Sequence, residues 1–113
     1  MADARGIARD AFDWVGSVAV DVDGGQAWLD DGQPSDDLYS GTAGVLMGCA
    51  EAVASGLDSL PVATGARARL LHVAGRPAMP DDGLFNGWAG VAVALRAWSG
   101  VTGAPRQQRA RPW

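Results

Sequence analysis

Apolar residues recur at three- and four-residue spacing through most of this chain and nowhere alternate with polar ones for any length, which predicts helices rather than sheet. From Asp3 to about Val20, Ile7, Ala11, Trp14, Val15 and Val18 fall on one helical face. From Thr42, Val45, Leu46, Cys49, Ala52 and Val53 make a broader apolar face that ends near Ser55-Gly56, where glycine suits a left-handed cap. A third helix is expected over Pro61 to Val73: Pro61 fits a first turn, Leu70, Leu71 and Val73 are apolar, and Gly75 can terminate it, with Gly65 as the discordant residue. A fourth runs from about Trp88 to Val101, closed by Gly100 or Gly103. Asp21 to Gly32, with Gly24-Gly25 and Asp30-Asp31-Gly32, reads as a loop around a short extended piece at Gln26–Leu29, and Pro34 and Ser35 close it. Gly75–Asp82, with Pro77 and Pro80, is a second loop. The expected class is mainly α.

The chain contains an internal repeat. Asp36-Asp37-Leu38-Tyr39-Ser40-Gly41-Thr42-Ala43-Gly44-Val45 aligns with Asp82-Gly83-Leu84-Phe85-Asn86-Gly87-Trp88-Ala89-Gly90-Val91 at an offset of 46 residues. Leu, Gly, Ala, Gly and Val coincide, an aromatic matches an aromatic, and Ser40 matches Asn86 as a residue suited to helix capping. A period near 40–47 residues is that of paired-helix repeats, whose units bury their apolar faces by stacking. Glycine in a helix costs about 0.5–1 kcal/mol relative to alanine, so two in corresponding places predict close backbone packing that offsets the loss. Two units are present, the second stopping after its first helix, whereas an array needs about three to be stable.

Length and charge narrow the function. At 113 residues the chain fits one core. A net charge of −4 argues against nucleic acid or an anionic membrane as partner. The charge is polarised: residues 1–60 carry eleven acids and two arginines, residues 61–113 two acids and seven arginines. Oppositely charged halves can steer each other together, although a solvated acidic surface beside a solvated basic one is the plainer reading. The lone Cys49 excludes an internal disulfide and suits a reducing cytoplasm. Met1 to Asp13 interleaves charges where a signal peptide needs an apolar run. The longest uncharged stretches, Leu38–Ala50 and Gly83–Leu95, are thirteen residues each, short of the roughly 18 of a membrane span.

At the two glycine motifs the sequence resembles the lanthionine synthetase C-like family, the cyclases of lantibiotic biosynthesis and their relatives. Leu38-Tyr39-Ser40-Gly41-Thr42-Ala43-Gly44-Val45 and Gly83-Leu84-Phe85-Asn86-Gly87-Trp88-Ala89-Gly90-Val91-Ala92 look like its first two glycine-motif helices, and Gly100-Val101-Thr102-Gly103 like its helix exit. The likeness covers residues 36–104. It implies that residues 1–104 are the N-terminal part of such a domain, contributing the first inner and outer helices of an α/α toroid, with 105–113 an irregular Arg-rich tail. It also implies a family activity: zinc held by two cysteines and a histidine activates a peptide cysteine thiolate, which adds to dehydroalanine or dehydrobutyrine of a precursor peptide and forms a thioether ring. Zinc lowers a thiol's pKa and keeps it nucleophilic at neutral pH. No position here matches the family's Trp-Cys or Cys-His-Gly ligand motifs, so the ligands are expected in later repeats past Trp113 and no residue is assigned a catalytic, cofactor or metal role. The chain alone is expected to be inactive. The alternative is a noncatalytic helical module that binds a partner through the apolar surface the missing repeats would cover.

Individual residues fit structural roles. Cys49 and His72 are the only soft ligand candidates, too few for a zinc site; Cys49 reads as a buried small hydrophobe and His72 as a helix-end side chain. Asp21-Val22-Asp23-Gly24 begins like a calcium loop but continues with Gly25 and Gln26 and lacks the closing glutamate, so it reads as a turn. The doublets Asp36-Asp37 and Asp81-Asp82 precede helix starts, where the dipole favours negative charge. Phe85, Trp88 and Trp98 read as core rather than a peptide groove. Gly41–Gly44 and Gly87–Gly90 lack the dinucleotide fingerprint and the Walker lysine.

Overall fold

The computed structural model describes residues 3–38, 41–57, 60–75 and 88–103. Its elements in chain order are α1 (Ala4–Ser17), β1 (Val20–Val22), β2 (Gly25–Asp30), β3 (Gln33–Ser35), α2 (Thr42–Ala54), α3 (Pro61–Ala74) and α4 (Trp88–Trp98), which runs into a π-helical turn at Ser99–Gly103. The fold is mainly helical, and each helix lies where the apolar spacing puts it. Asp3 caps α1, its carboxylate accepting from the Gly6 amide at 2.7 Å. Pro61 opens α3 and Gly75 caps it.

The expected loop over Asp21–Gly32 and Pro34-Ser35 is instead a three-stranded antiparallel meander, β1-β2-β3. Val22 pairs with Gly25 and Asp30 with Gln33, so each connection is a two-residue turn, Asp23-Gly24 and Asp31-Gly32. Asp31 and Gly32 both have positive φ, 53° and 79°, the type I′ conformation that Asp-Gly supports best and that matches strand twist. Alternation fails as a signal because β1 and β3 are three residues long and because consecutive β2 residues, Ala27 and Trp28, are both buried. The short extended piece expected at Gln26–Leu29 is the middle of β2.

The core is shared by the helices and the central strand. Leu46 and Cys49 of α2, Ala66 and Leu70 of α3, and Val91 and Ala94 of α4 are buried together with Trp28. α2 lies side by side with α4, the most extensive contact between helices, and α3 packs on both α2 and β2. Trp28 ties the sheet to α1: its indole N–H donates to the Val15 carbonyl at 2.8 Å.

α1 corrects the expected apolar face. Ala8, Phe12, Val15 and Ala19 pack against the core. Of the predicted face only Val15 does so, whereas Ile7, Ala11, Trp14 and Val18 are exposed, Trp14 by 66%. The helix therefore carries two adjoining apolar stripes at i, i+4, i+7 spacing, and only one is covered. The loop Gly75–Asp82 beyond its first residue, the second motif up to Gly87, and the tail 105–113 with its boundary at 104 lie outside the described residues.

Candidate functional site at the start of α2

The first four amides of a helix have no intrahelical acceptor. Gly41, the N-cap of α2, offers no side chain, and the expected cap Ser40 lies outside the described residues, as does Asn86. Backbone carbonyls fill the role. Asp36 O accepts from the Ala43 amide at 3.2 Å, and Asp37 O accepts from the Gly44 amide at 3.3 Å and the Gly41 amide at 3.1 Å. The buried Thr42 hydroxyl donates to Ser35 O at 3.1 Å. Residues 35–38 thus cross the mouth of the helix in direct backbone contact with it.

That crossing explains the glycines. A Cβ on Gly41 would collide with the Ser35 backbone, and one on Gly44 with the Leu38 carbonyl oxygen. The expectation of close backbone approach holds. Its partner at these two glycines is the chain's own preceding segment rather than a neighbouring helix.

Arg69, which sequence reasoning missed, locks the crossing from outside. Its side chain is 9% exposed. Nε and Nη2 donate to the two carboxylate oxygens of Asp36 at 2.9 and 3.0 Å, a bidentate charge-assisted pair, and Nη1 donates to the Asp23 carbonyl at 2.7 Å. One side chain of α3 therefore joins the β1–β2 turn to the segment that caps α2. All three guanidinium nitrogens are engaged, so Arg69 is a clasp and not a free anion hook. The Asp36 carboxylate serves this pair, beyond the dipole role expected of the doublet. The backbone beside Arg69 is equally tight, since a Cβ on Gly25 of β2 would collide with Gly65 O and the Arg69 amide. Gly65, discordant by propensity, admits the Gln26 side chain against α3.

The soft ligand candidates are not brought together. Cys49 is wholly buried in the core on α2, and burial pushes its thiol up to about 11 from 9.0. His72 is on the exposed face of α3, its side chain against Gly24 of the turn. Among the described residues no group of three His, Cys, Asp or Glu side chains is placed to hold a metal ion. Asp21 is in β1, its carboxylate accepting from the Gln26 side-chain Nε2 at 3.5 Å, and Asp23-Gly24 is a turn as expected. Trp98 is half-buried against the core, while Asp81, Asp82, Phe85 and the side chain of Trp88 lie outside the described residues.

One concavity adjoins this site, a groove of about 480 Å³ between α1 and α2 lined by Phe12, Trp14, Val18, Gly44, Val45 and Gly48 among others. The described residues that line it are apolar or glycine and include no nucleophile or paired acid and base. Comparison with protein-family models, curated proteins and solved structures finds no match.

Two outcomes follow. Gly44→Ala lowers stability in urea denaturation by about 1–3 kcal/mol, because the methyl is forced onto the Leu38 carbonyl. Gly48→Ala, whose Cβ would sit 3.9 Å from Phe12, is neutral or stabilising, as alanine ordinarily is in a helix. If Gly44→Ala also stabilises, the crossing is not tight. The second concerns Cys49: the unfolded thiol ionises near 9.0 and the native one near 11, so between those values the unfolded state binds fewer protons. Its contribution is complete below about pH 9 and lost as pH rises through about 11. The stability measured by urea denaturation should fall more steeply across that range for the native chain than for Cys49→Ala, and parallel slopes would show an accessible thiol.

Proposed function

We propose that the chain is a noncatalytic packing section of a lanthionine synthetase C-like cyclase, contributing two glycine-motif helices to a toroid whose zinc-bearing repeats are elsewhere. The observation that carries the reading is the side-by-side packing of α2 and α4, the two helices that bear the repeated motif. Repeat-related positions support it. Gly90, Val91 and Ala94 of α4 are buried, while their counterparts one period earlier, Gly44, Val45 and Gly48, line the open groove. Successive staves of an array touch with opposite faces, and the first keeps its outer face free. Zinc and the precursor peptide would be bound by the full-length protein. The described residues of this chain do not fit a zinc site, because Cys49 is sealed in the core and His72 lies on the surface.

The uncovered stripe of α1 favours a second reading, a helical module that engages a partner without chemistry of its own. For α1, α2, α3 and α4 it can be said that none is long and apolar enough to cross a membrane.

Incubation of the isolated chain with zinc and a dehydrated precursor peptide should yield no thioether and no stoichiometric tight zinc; ring formation with one bound zinc overturns the noncatalytic assignment. The family assignment is tested at the gene. Downstream coding sequence with further glycine-motif helices and a Cys…Cys-His set, in any frame, is expected, and its absence from all three frames removes the assignment.

A further inference from the structure

The repeat makes the two sides of the α2–α4 pair complementary. Val91 of α4 is 1% exposed, whereas Val45, its counterpart 46 residues earlier on α2, is only half-buried and lines the groove beside α1. Leu46 and Ala50 of α2 are buried, whereas their counterparts Ala92 and Arg96 are exposed on α4, with Val93 beside them. Each helix buries the face that its counterpart leaves open. What α4 presents outward is therefore the repeat equivalent of what α2 packs in the core.

The groove has the width for that outward face. α1 packs on α3 and α3 on α2, while α1 and α2 themselves hardly approach. The gap between them, about 480 Å³, is walled by Trp14 and Val18 of α1 and by Gly44 and Val45 of α2. Phe12 lies over Gly48, so Gly44 and Val45 are the open part of the α2 wall. A gap of that size admits a row of small side chains rather than a bulky ridge. The outward residues of α4 and its π-helical turn are Ala92, Val93, Ser99 and Gly100, with Arg96 the one charged residue of the helix.

Charge sets the orientation. Every residue lining the groove belongs to 1–60, with eleven acids and two arginines, and α4 belongs to 61–113, with two acids and seven arginines. A groove meeting α4 brings halves of opposite sign together. Two grooves meeting about a twofold axis bring acidic halves together, and an anionic membrane is repelled for the same reason.

We infer that the α1–α2 groove takes the outward face of α4 from a second copy, head to tail, giving Val45 the cover that Val91 has within one chain. The contact extends the repeat geometry behind the proposed function from one chain to its copies, and it stands whether or not the chain belongs to a cyclase. Because the two surfaces differ, every copy in a pair leaves one surface free, and association runs on to open oligomers or a ring.

Sedimentation velocity of the full chain, from micromolar to millimolar concentration, should show mass rising from 11.6 kDa past the dimer. Trp14→Glu, at a position 66% exposed, disables the groove, and Ala92→Glu, also exposed, disables the α4 face. Each variant alone should be monomeric with its circular dichroism spectrum unchanged. Mixed in equal amounts, the two should form a dimer and nothing larger, since one sound groove and one sound α4 face remain. Where either substitution disturbs the fold, Val18→Glu and Val93→Glu alter the same two surfaces at exposed positions.

A native chain that is monomeric throughout overturns the pairing and leaves the packing-section assignment to its own test at the gene. A dimer that survives Ala92→Glu but not Trp14→Glu is a symmetric groove-to-groove contact and overturns it as well. So does a mixture that stays monomeric, or assembly that neither substitution reduces. A monomeric native chain that binds phosphatidylserine vesicles through Trp14 assigns the groove to a membrane instead.

Discussion

The contact between Arg69 and Asp36 fixes how three parts of the molecule meet. Without it, the segment 35–38 keeps only its backbone hydrogen bonds and the Thr42 hydroxyl's bond to Ser35 O across the mouth of α2, and among the described residues the β1–β2 turn loses its hydrogen bond to α3. The pair is mostly sealed from water, so each charge depends on the other: losing one partner of a buried pair commonly costs about 3–5 kcal/mol because the remaining charge is stranded. Bidentate geometry matters as much as charge, and lysine could not span two carboxylate oxygens and the Asp23 carbonyl at once.

From this contact the glycine motif acquires a physical meaning. Gly41 and Gly44 are not a ligand loop; they are the space through which residues 35–38 pass. The carbonyls of Asp36 and Asp37 do what a capping side chain does elsewhere, satisfying amides that the helix leaves open. The energetic price of glycine in α2 is offset by these bonds and by the contact of α2 with α4, which seals Cys49 and Val91 in one core. A thiol held there is a packing group, and its raised pKa is the consequence of burial rather than preparation for chemistry.

The helices were legible because 3.6-residue periodicity survives in each, and their ends carry recognisable chemistry in Asp3, Pro61 and Gly75. The meander was not, because its strands are too short to alternate; two Asp-Gly dipeptides eight residues apart were the signal that could have found it. α1 was assigned the wrong buried face because two apolar stripes adjoin and periodicity alone cannot say which one meets the core. Arg69 was invisible for a different reason. Its partners lie 33 and 46 residues away in sequence, and nothing local distinguishes it from the other arginines. The opposite charges of the two halves did foreshadow it, since an arginine of the basic half meets an aspartate of the acidic one.

The central claim is that the Asp36–Arg69 pair acts as one unit that holds the crossing over α2. A double-mutant cycle with Asp36→Ala, Arg69→Ala and the combined variant, read by urea denaturation at low salt, measures it directly. A coupling energy of about 1.5–3 kcal/mol is expected, the range of hydrogen bonds to charged groups. Additive effects, with coupling below about 0.5 kcal/mol as for an exposed ion pair, would contradict the account.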